Sequence, residues 1–156
     1  MRQHDQAEAW RRKWLAVIKD QAGADSLRYA DALASLSRNL IQQKKWTDAE
    51  AVLRHCLVVR EKKQPDAWTT FNVKSLLGGA ILEQHKYADV EPLLLTGYEG
   101  MKAREKTIPP QAKSRLTEAL DRLIQLYTDT NKPDDLKKWQ TERAKYPETK
   151  LADKKK

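Results

Sequence analysis

Val73, Leu76, Leu77, Ala80 and Ile81 recur at helical spacing and mark one apolar face, and Val90, Leu93, Leu94, Gly97, Tyr98 and Met101 mark a second. Side chains three and four positions apart share a face, so this pattern predicts two helices. His85, Lys86 and Tyr87 fall at the turn between them. Gly78 and Gly97 sit inside the two faces. Glycine in a helix interior costs about 1 kcal/mol against alanine, which calls for a close approach of the two backbones in compensation. Such a hairpin cannot bury both faces alone and requires neighbours.

Copies of the same pattern supply them. With Trp46 set on Tyr87, Leu36 falls on Leu77, Ser37 on Gly78, Ala49 on Val90, Leu53 on Leu94 and Cys56 on Gly97, at a constant offset of 41 residues. With Pro133 set on Tyr87, at an offset of 46, Leu123 falls on Leu77, Tyr127 on Ile81 and Leu136 on Val90. Ahead of these copies, residues 2–21 read as an amphipathic helix with Ala7, Trp10, Trp14, Val17 and Ile18 on one face. Gly23 suits its end, because glycine accepts the left-handed backbone found there. Asp25 or Ser26 is placed to cap a helix running to about Lys44, and Thr47 and Glu50 have the spacing of a capping box. Further helices are predicted over 66–84, 88–106, 110–129 and 133–145, separated by Pro65-Asp66, Thr107 to Pro110 and Thr130 to Pro133. The fold class is therefore all-α, with about seven helices. The expected units are an N-terminal helix (1–23), three hairpins (24–64, 65–107, 108–146) and a basic tail (147–156) expected to be disordered.

Charge and chemistry change this picture little. The net charge is +8; residues 1–100 carry 15 basic against 13 acidic groups, and residues 101–156 carry 15 against 9. The excess thus lies in the C-terminal third, where it offers an alternative reading as a nucleic-acid or acidic-surface binder. No aromatic residue interleaves the terminal lysines as a stacking platform requires, so nucleic acid is disfavoured as a partner. The single cysteine, Cys56, permits no internal disulfide, which fits a cytoplasmic setting. There is no apolar run of membrane-spanning length and no GxxxxGK, GxGxxG or HExxH motif. His55 and Cys56 are adjacent, so on a helix they point about 100° apart and do not share a metal easily. We therefore expect no catalytic residue, no metal and no cofactor.

The spacing of Gly78, Val90, Leu94 and Gly97, repeated in Ser37, Ala49, Leu53 and Cys56, resembles the tetratricopeptide repeat. The period above 40, with DAEAVL and DVEPLL opening the second helices, resembles the kinesin-light-chain subtype. The same run, over about residues 24–145, is similar to repeats found C-terminal to kinase domains in some bacterial serine/threonine kinases. The third copy departs from the pattern, with Gln140 and Arg143 where apolar residues belong. The resemblance implies a right-handed α-solenoid of stacked antiparallel hairpins, and a non-catalytic scaffold role within a larger signalling protein.

In such a solenoid the first helix of each hairpin builds a concave wall. Counting outward from the buried positions, the wall is expected to show Asp31, Ser35, Arg38 and Gln42, then Asn72, Ser75, Gly79 and Glu83, then Glu118, Arg122 and Gln125. The family commonly holds an extended peptide or a helix there, so a protein or peptide is the expected partner. The asparagine ladder of kinesin light chains and the lysine–asparagine set of carboxylate clamps do not carry over to these positions. Arg38 and Arg122 are the expected cations for an acidic or C-terminal peptide. Trp10 and Trp14 offer a second contact, because an open apolar helix face invites self-association.

Overall fold

The computed structural model describes residues 2–146, all of whose regular elements are helical. They are α1 (Arg2–Ala22), α2 (Leu27–Gln42), α3 (Trp46–Lys63), α4 (Trp68–Leu82), α5 (Val90–Ala103), α6 (Ser114–Asp129) and α7 (Pro133–Ala144). Short 3-10 turns lie at Tyr87–Asp89, Glu105–Thr107 and Pro110–Ala112. Each helix packs on the next in chain order, and α4 also packs on α6. The expected tail, 147–156, lies outside the described residues.

The local signals explain most boundaries. Gly23 ends α1 at φ +83 with its amide on the Lys19 carbonyl, and Ser26 caps α2 by accepting the Tyr29 amide at 3.1 Å. The capping box at Thr47 does not form. Helix α3 begins at Trp46, so Thr47 is already inside the first turn, and its hydroxyl meets Gln84 instead. Helix α6 begins at Ser114 rather than Pro110, because the Pro109-Pro110 pair leads into a 3-10 turn first.

Helix α4 is buried nearly all round, from Thr70 to Leu82 with few breaks. It carries apolar or small residues on every side, as a helix enclosed by neighbours must. Against it, α5 comes close enough that a Cβ built on Gly97 would lie 2.7 Å from the Ser75 amide nitrogen. A Cβ on Gly78 would lie 2.7 Å from a Leu94 methyl. The expected close approach of backbones is present at Gly97, whereas at Gly78 the Leu94 side chain fills the space.

The turns that follow α2, α4 and α6 share one geometry. Lys44, His85 and Asn131 all adopt left-handed φ (58, 58 and 52), at the same offsets of 41 and 46 residues found in the sequence. The next residue's amide then reaches back to the fifth residue before it: Lys45 to Leu40, Lys86 to Ile81, Lys132 to Tyr127. These bonds satisfy carbonyls that the helix end leaves free. Each turn lysine also grips a glutamate one helix further back: Lys45 on Glu8 of α1 at 2.7 Å, Lys86 on Glu50 of α3 at 3.3 Å, Lys132 on Glu91 of α5 at 2.8 Å. Glu8 thus occupies on α1 the place that Glu50 holds on α3 and Glu91 on α5.

This register divides the face read on α1, turning Ile18 inward and leaving the tryptophans open. Ile18 is fully buried against α2 and Leu15 is half-buried, whereas Trp10 and Trp14 are 62% and 41% exposed. The two indoles stack on each other, centroids 5.9 Å apart, rather than against α2. The inner stripe is Glu8, Arg11, Leu15 and Ile18, and the tryptophans stand beside it.

A pH dependence follows from the first clasp. The Lys45 ammonium, then Arg12, hold the Glu8 carboxyl down at about 2, against an ordinary value of 4.5. A depressed carboxyl contributes stability at pH above its unfolded value and loses it as pH falls toward its folded value. Glu8→Gln should therefore lower the melting temperature at pH 7 and make progressively less difference between pH 4.5 and 2. An equal difference at pH 7 and pH 2 in thermal denaturation would show that the clasp does not stabilise the fold.

Candidate functional site

Helices α2, α4 and α6 share one side of the protein, where two cavities open between them. The first, about 250 Å³, lies between α4 and α6, with Ile41 at the end of α2 also on its wall. The second, about 320 Å³, lies between α2 and α4 and is closed at its base by the last turn of α3.

The eleven wall residues expected from the sequence divide into three groups. Asp31 and Gln42 are exposed on α2, and Ser35 and Arg38 are half-buried. Ser35 is not free: the Arg11 guanidinium of α1 donates to its hydroxyl at 3.3 Å. Asn72, Ser75 and Gly79 are buried, contrary to the expectation of an open wall. For Ser75 and Gly79 the reason is that α6 lies directly against α4, so the Arg122 side chain runs over them, whereas Asn72 is enclosed on the α2 side, at the second cavity. A Cβ on Gly79 would sit 2.7 Å from Arg122 Cδ.

The third group ties α4 to α6. Arg122 donates to Ser75 Oγ at 3.1 Å and lies 3.6 Å from Glu118, and Gln125 donates to Glu83 at 3.0 Å. Four of the expected ligand contacts are therefore spent within the protein. Burial pushes the Arg122 guanidinium below its ordinary value, and Glu118 opposes that shift. Arg122 is thus a structural strap across Gly79 rather than a free cation.

Arg38 is different. Among the described residues it has no hydrogen-bond or ion-pair partner. It faces the second cavity with Arg60, Trp68 and Asn72. Burial, then repulsion from Arg115, pushes its guanidinium below its ordinary value. Arg115 itself is engaged by both Glu118 carboxylate oxygens at 2.8 Å.

Two residues of this cavity escaped the sequence reading. Arg60 suited the negative pole at the end of α3, yet it is 4% exposed and turned inward. The signal was present: Ala49, Leu53, Cys56 and Arg60 form one continuous stripe at helical spacing. Its guanidinium pairs with Asp31 and donates to Thr69 Oγ1 at 2.8 Å, leaving Nε buried without a partner. Trp68, at the first turn of α4, lines the same cavity.

The remaining reactive groups serve packing. The Cys56 thiol donates to the Ala30 carbonyl at 3.2 Å, and burial pushes its pKa up, so it stays protonated. His55 packs edge-on against Tyr29, and His85 meets the Tyr87 hydroxyl at 2.9 Å. Among the described residues no three His, Cys, Asp or Glu side chains converge as a metal site, and no helix is long and apolar enough to cross a membrane. Comparison with protein-family models and with curated proteins returns no match.

Proposed function

We propose that the chain is a non-catalytic interaction module that holds an extended peptide or a helix of another protein along α2, α4 and α6. The observation that carries this reading is the pair of adjacent cavities on that side, one of them containing an unpaired half-buried arginine. A cleft with convergent polar groups on rigid helices is what a recognition surface needs. The recurring turn and the Glu–Lys clasp support a right-handed solenoid of the tetratricopeptide type, close to the kinesin-light-chain subtype. On the sequence resemblance, the module belongs in the cytoplasm to a larger bacterial signalling protein such as a serine/threonine kinase.

The electrostatic alternative is weaker. Among the described residues, most cations beyond residue 100 are already paired: Lys102 with Glu105, Arg104 with Asp66, Arg115 and Arg122 with Glu118, Lys132 with Glu91, Arg143 with Asp121 and Lys145 with Glu142. A paired cation releases fewer counterions on meeting phosphate, so this surface binds nucleic acid poorly. The test is amide hydrogen exchange with and without a pooled library of random short peptides. We expect added protection confined to α2, α4 and α6. Protection confined to the loop around Lys106 and Lys113, lost steeply with salt, would overturn the groove reading.

A second contact is favoured by the register of α1. Alignment of Glu8 with Glu50 sets Trp10, Trp14 and Val17 on Val52, Cys56 and Val59, of which Cys56 bonds to Ala30 of α2. On α1 the corresponding face is open. A second copy of the chain, paired through α1, would cover it. Sedimentation should show self-association that rises with concentration and falls on Trp10→Glu; a monomer at all concentrations would remove this contact.

A further inference from the structure

We infer that Thr107 is a phosphorylation site, written by a protein kinase that reads an arginine three residues ahead of its acceptor, and that the loop around it holds the added phosphate. This is independent of the groove, because the cavity at this loop shares no lining residue with the two cavities between α2, α4 and α6.

Three observations converge on this hydroxyl. The first is local sequence. Among all the serines and threonines of the chain, Thr107 alone has an arginine three residues before it, Arg104. Lys106 and Lys102 stand one and five residues before it. An acidic substrate groove selects its acceptors by such a charge pattern. The second is access. Thr107 is exposed and lies in the longest connection between α-helices among the described residues, 104–113. A kinase draws its acceptor segment out straight, which an α-helix resists. Here the order consists of 3-10 turns, closed by the Thr107 amide on the Arg104 carbonyl at 2.8 Å and the Ile108 amide on the Glu105 carbonyl at 3.2 Å. Turns this short open at low cost. Ile108, 3% exposed, anchors the loop and has to lift.

The third is charge. Lys102, Arg104, Lys106 and Lys113 line a cavity of about 600 Å³ together with Thr107 and a single carboxylate, Glu105. Lys102 is held by Glu105 at 2.9 Å and Arg104 by Asp66 at 3.1 Å, which leaves Lys106 and Lys113 without an ion-pair partner among the described residues. Two unpaired cations match a phosphate monoester, which carries about −1.5 to −2 charges at pH 7. The acceptor hydroxyl lies in the same cavity, so the phosphate arrives attached beside the groups that neutralise it.

The Thr107 hydroxyl donates to the Arg104 carbonyl at 2.8 Å and keeps its lone pairs free. In the transfer, Thr107 Oγ1 attacks the γ-phosphorus of ATP and the new P–O bond forms. The bond from that phosphorus to the β–γ bridging oxygen breaks and ADP leaves, while the hydroxyl proton passes to a carboxylate of the kinase. No proton then remains for the Arg104 carbonyl, and the phosphate oxygens accept from Lys106 and Lys113.

The experiment treats the full chain with ATP and a purified arginine-directed protein kinase, beside a synthetic peptide of residues 102–110. Phosphate is located by fragmentation mass spectrometry. Thr107 should be modified in both, more slowly in the full chain because the folded loop opens first, and Thr107→Val should remove the label. In the peptide, where no fold can be disturbed, Arg104→Ala should slow the reaction by about tenfold or more, as loss of a charge-assisted contact does. The phosphorylated chain is then titrated by phosphorus NMR. Lys106 and Lys113 should hold the second ionisation of the phosphate below its ordinary value of about 6. Lys113 follows the acceptor by six residues, outside the stretch that the kinase reads. Lys113→Gln should therefore raise that ionisation and leave the rate of phosphorylation unchanged.

A labelled peptide beside an unlabelled full chain would overturn the site, since the fold would then hide the acceptor. No label on either, or label on other residues of the chain in place of Thr107, would overturn it as well. A second ionisation at its ordinary value and unmoved by Lys113→Gln would overturn the phosphate cradle and leave the acceptor standing.

Discussion

The contact on which the rest depends is the approach of α5 to α4 at Gly97. Its missing side chain leaves room for the Ser75 backbone, the Ser75 Cβ and the Phe71 carbonyl, all within 3.0 Å of where a Cβ would stand. One turn on, Gly100 receives the Phe71 ring, over which Arg104 lies at 4.4 Å while reaching Asp66. Two helices this close interlock by backbone shape, and a packed interior transmits such a constraint without slack. It fixes the rotation of α4. That rotation turns Ser75 and Gly79 toward α6, where Arg122 straps them, and turns Asn72 toward α2, where the cavity remains open.

The surface clasps act on the same frame from outside. An exposed ion pair contributes little by itself, about 0–1 kcal/mol. Here each glutamate also accepts a second bond: from Gln43 to Glu8 at 3.0 Å, from Gln84 to Glu50 at 2.8 Å, and from the Tyr127 hydroxyl to Glu91 at 2.9 Å. Their value is positional. Each fixes how far one helix has slid along the next turn, and so sets the spacing between successive first helices of the wall.

Apolar periodicity made the helices and their order legible, because a stripe at 3.6 spacing has few other solutions. The glycine at 97 was legible for the same reason: its cost inside a helix needs an offset. Polar positions were harder. Counting outward from buried residues treated α4 as having a free side, yet α6 covers Ser75 and Gly79 and the α2 side encloses Asn72, so all three became interior. Glu50 had the spacing to cap α3 but is drawn instead to Arg54, Gln84 and Lys86. Arg60 was not read as interior, although its register continued a buried stripe. In each case a neighbour outside the local window decided the role, and Arg38 alone among the expected cations kept a free guanidinium.

The most direct measurement is urea unfolding of Gly97→Ala against the wild type. In an exposed helix interior, alanine in place of glycine adds about 1 kcal/mol of stability. At Gly97 the added methyl group meets backbone, which cannot step aside as a side-chain end can. We expect a lower midpoint and a net loss of about 1–3 kcal/mol, with the α4–α6 contacts loosened as well. A midpoint at or above that of the wild type would contradict the close approach of α5 to α4, and with it the orientation of α4 from which the groove is built.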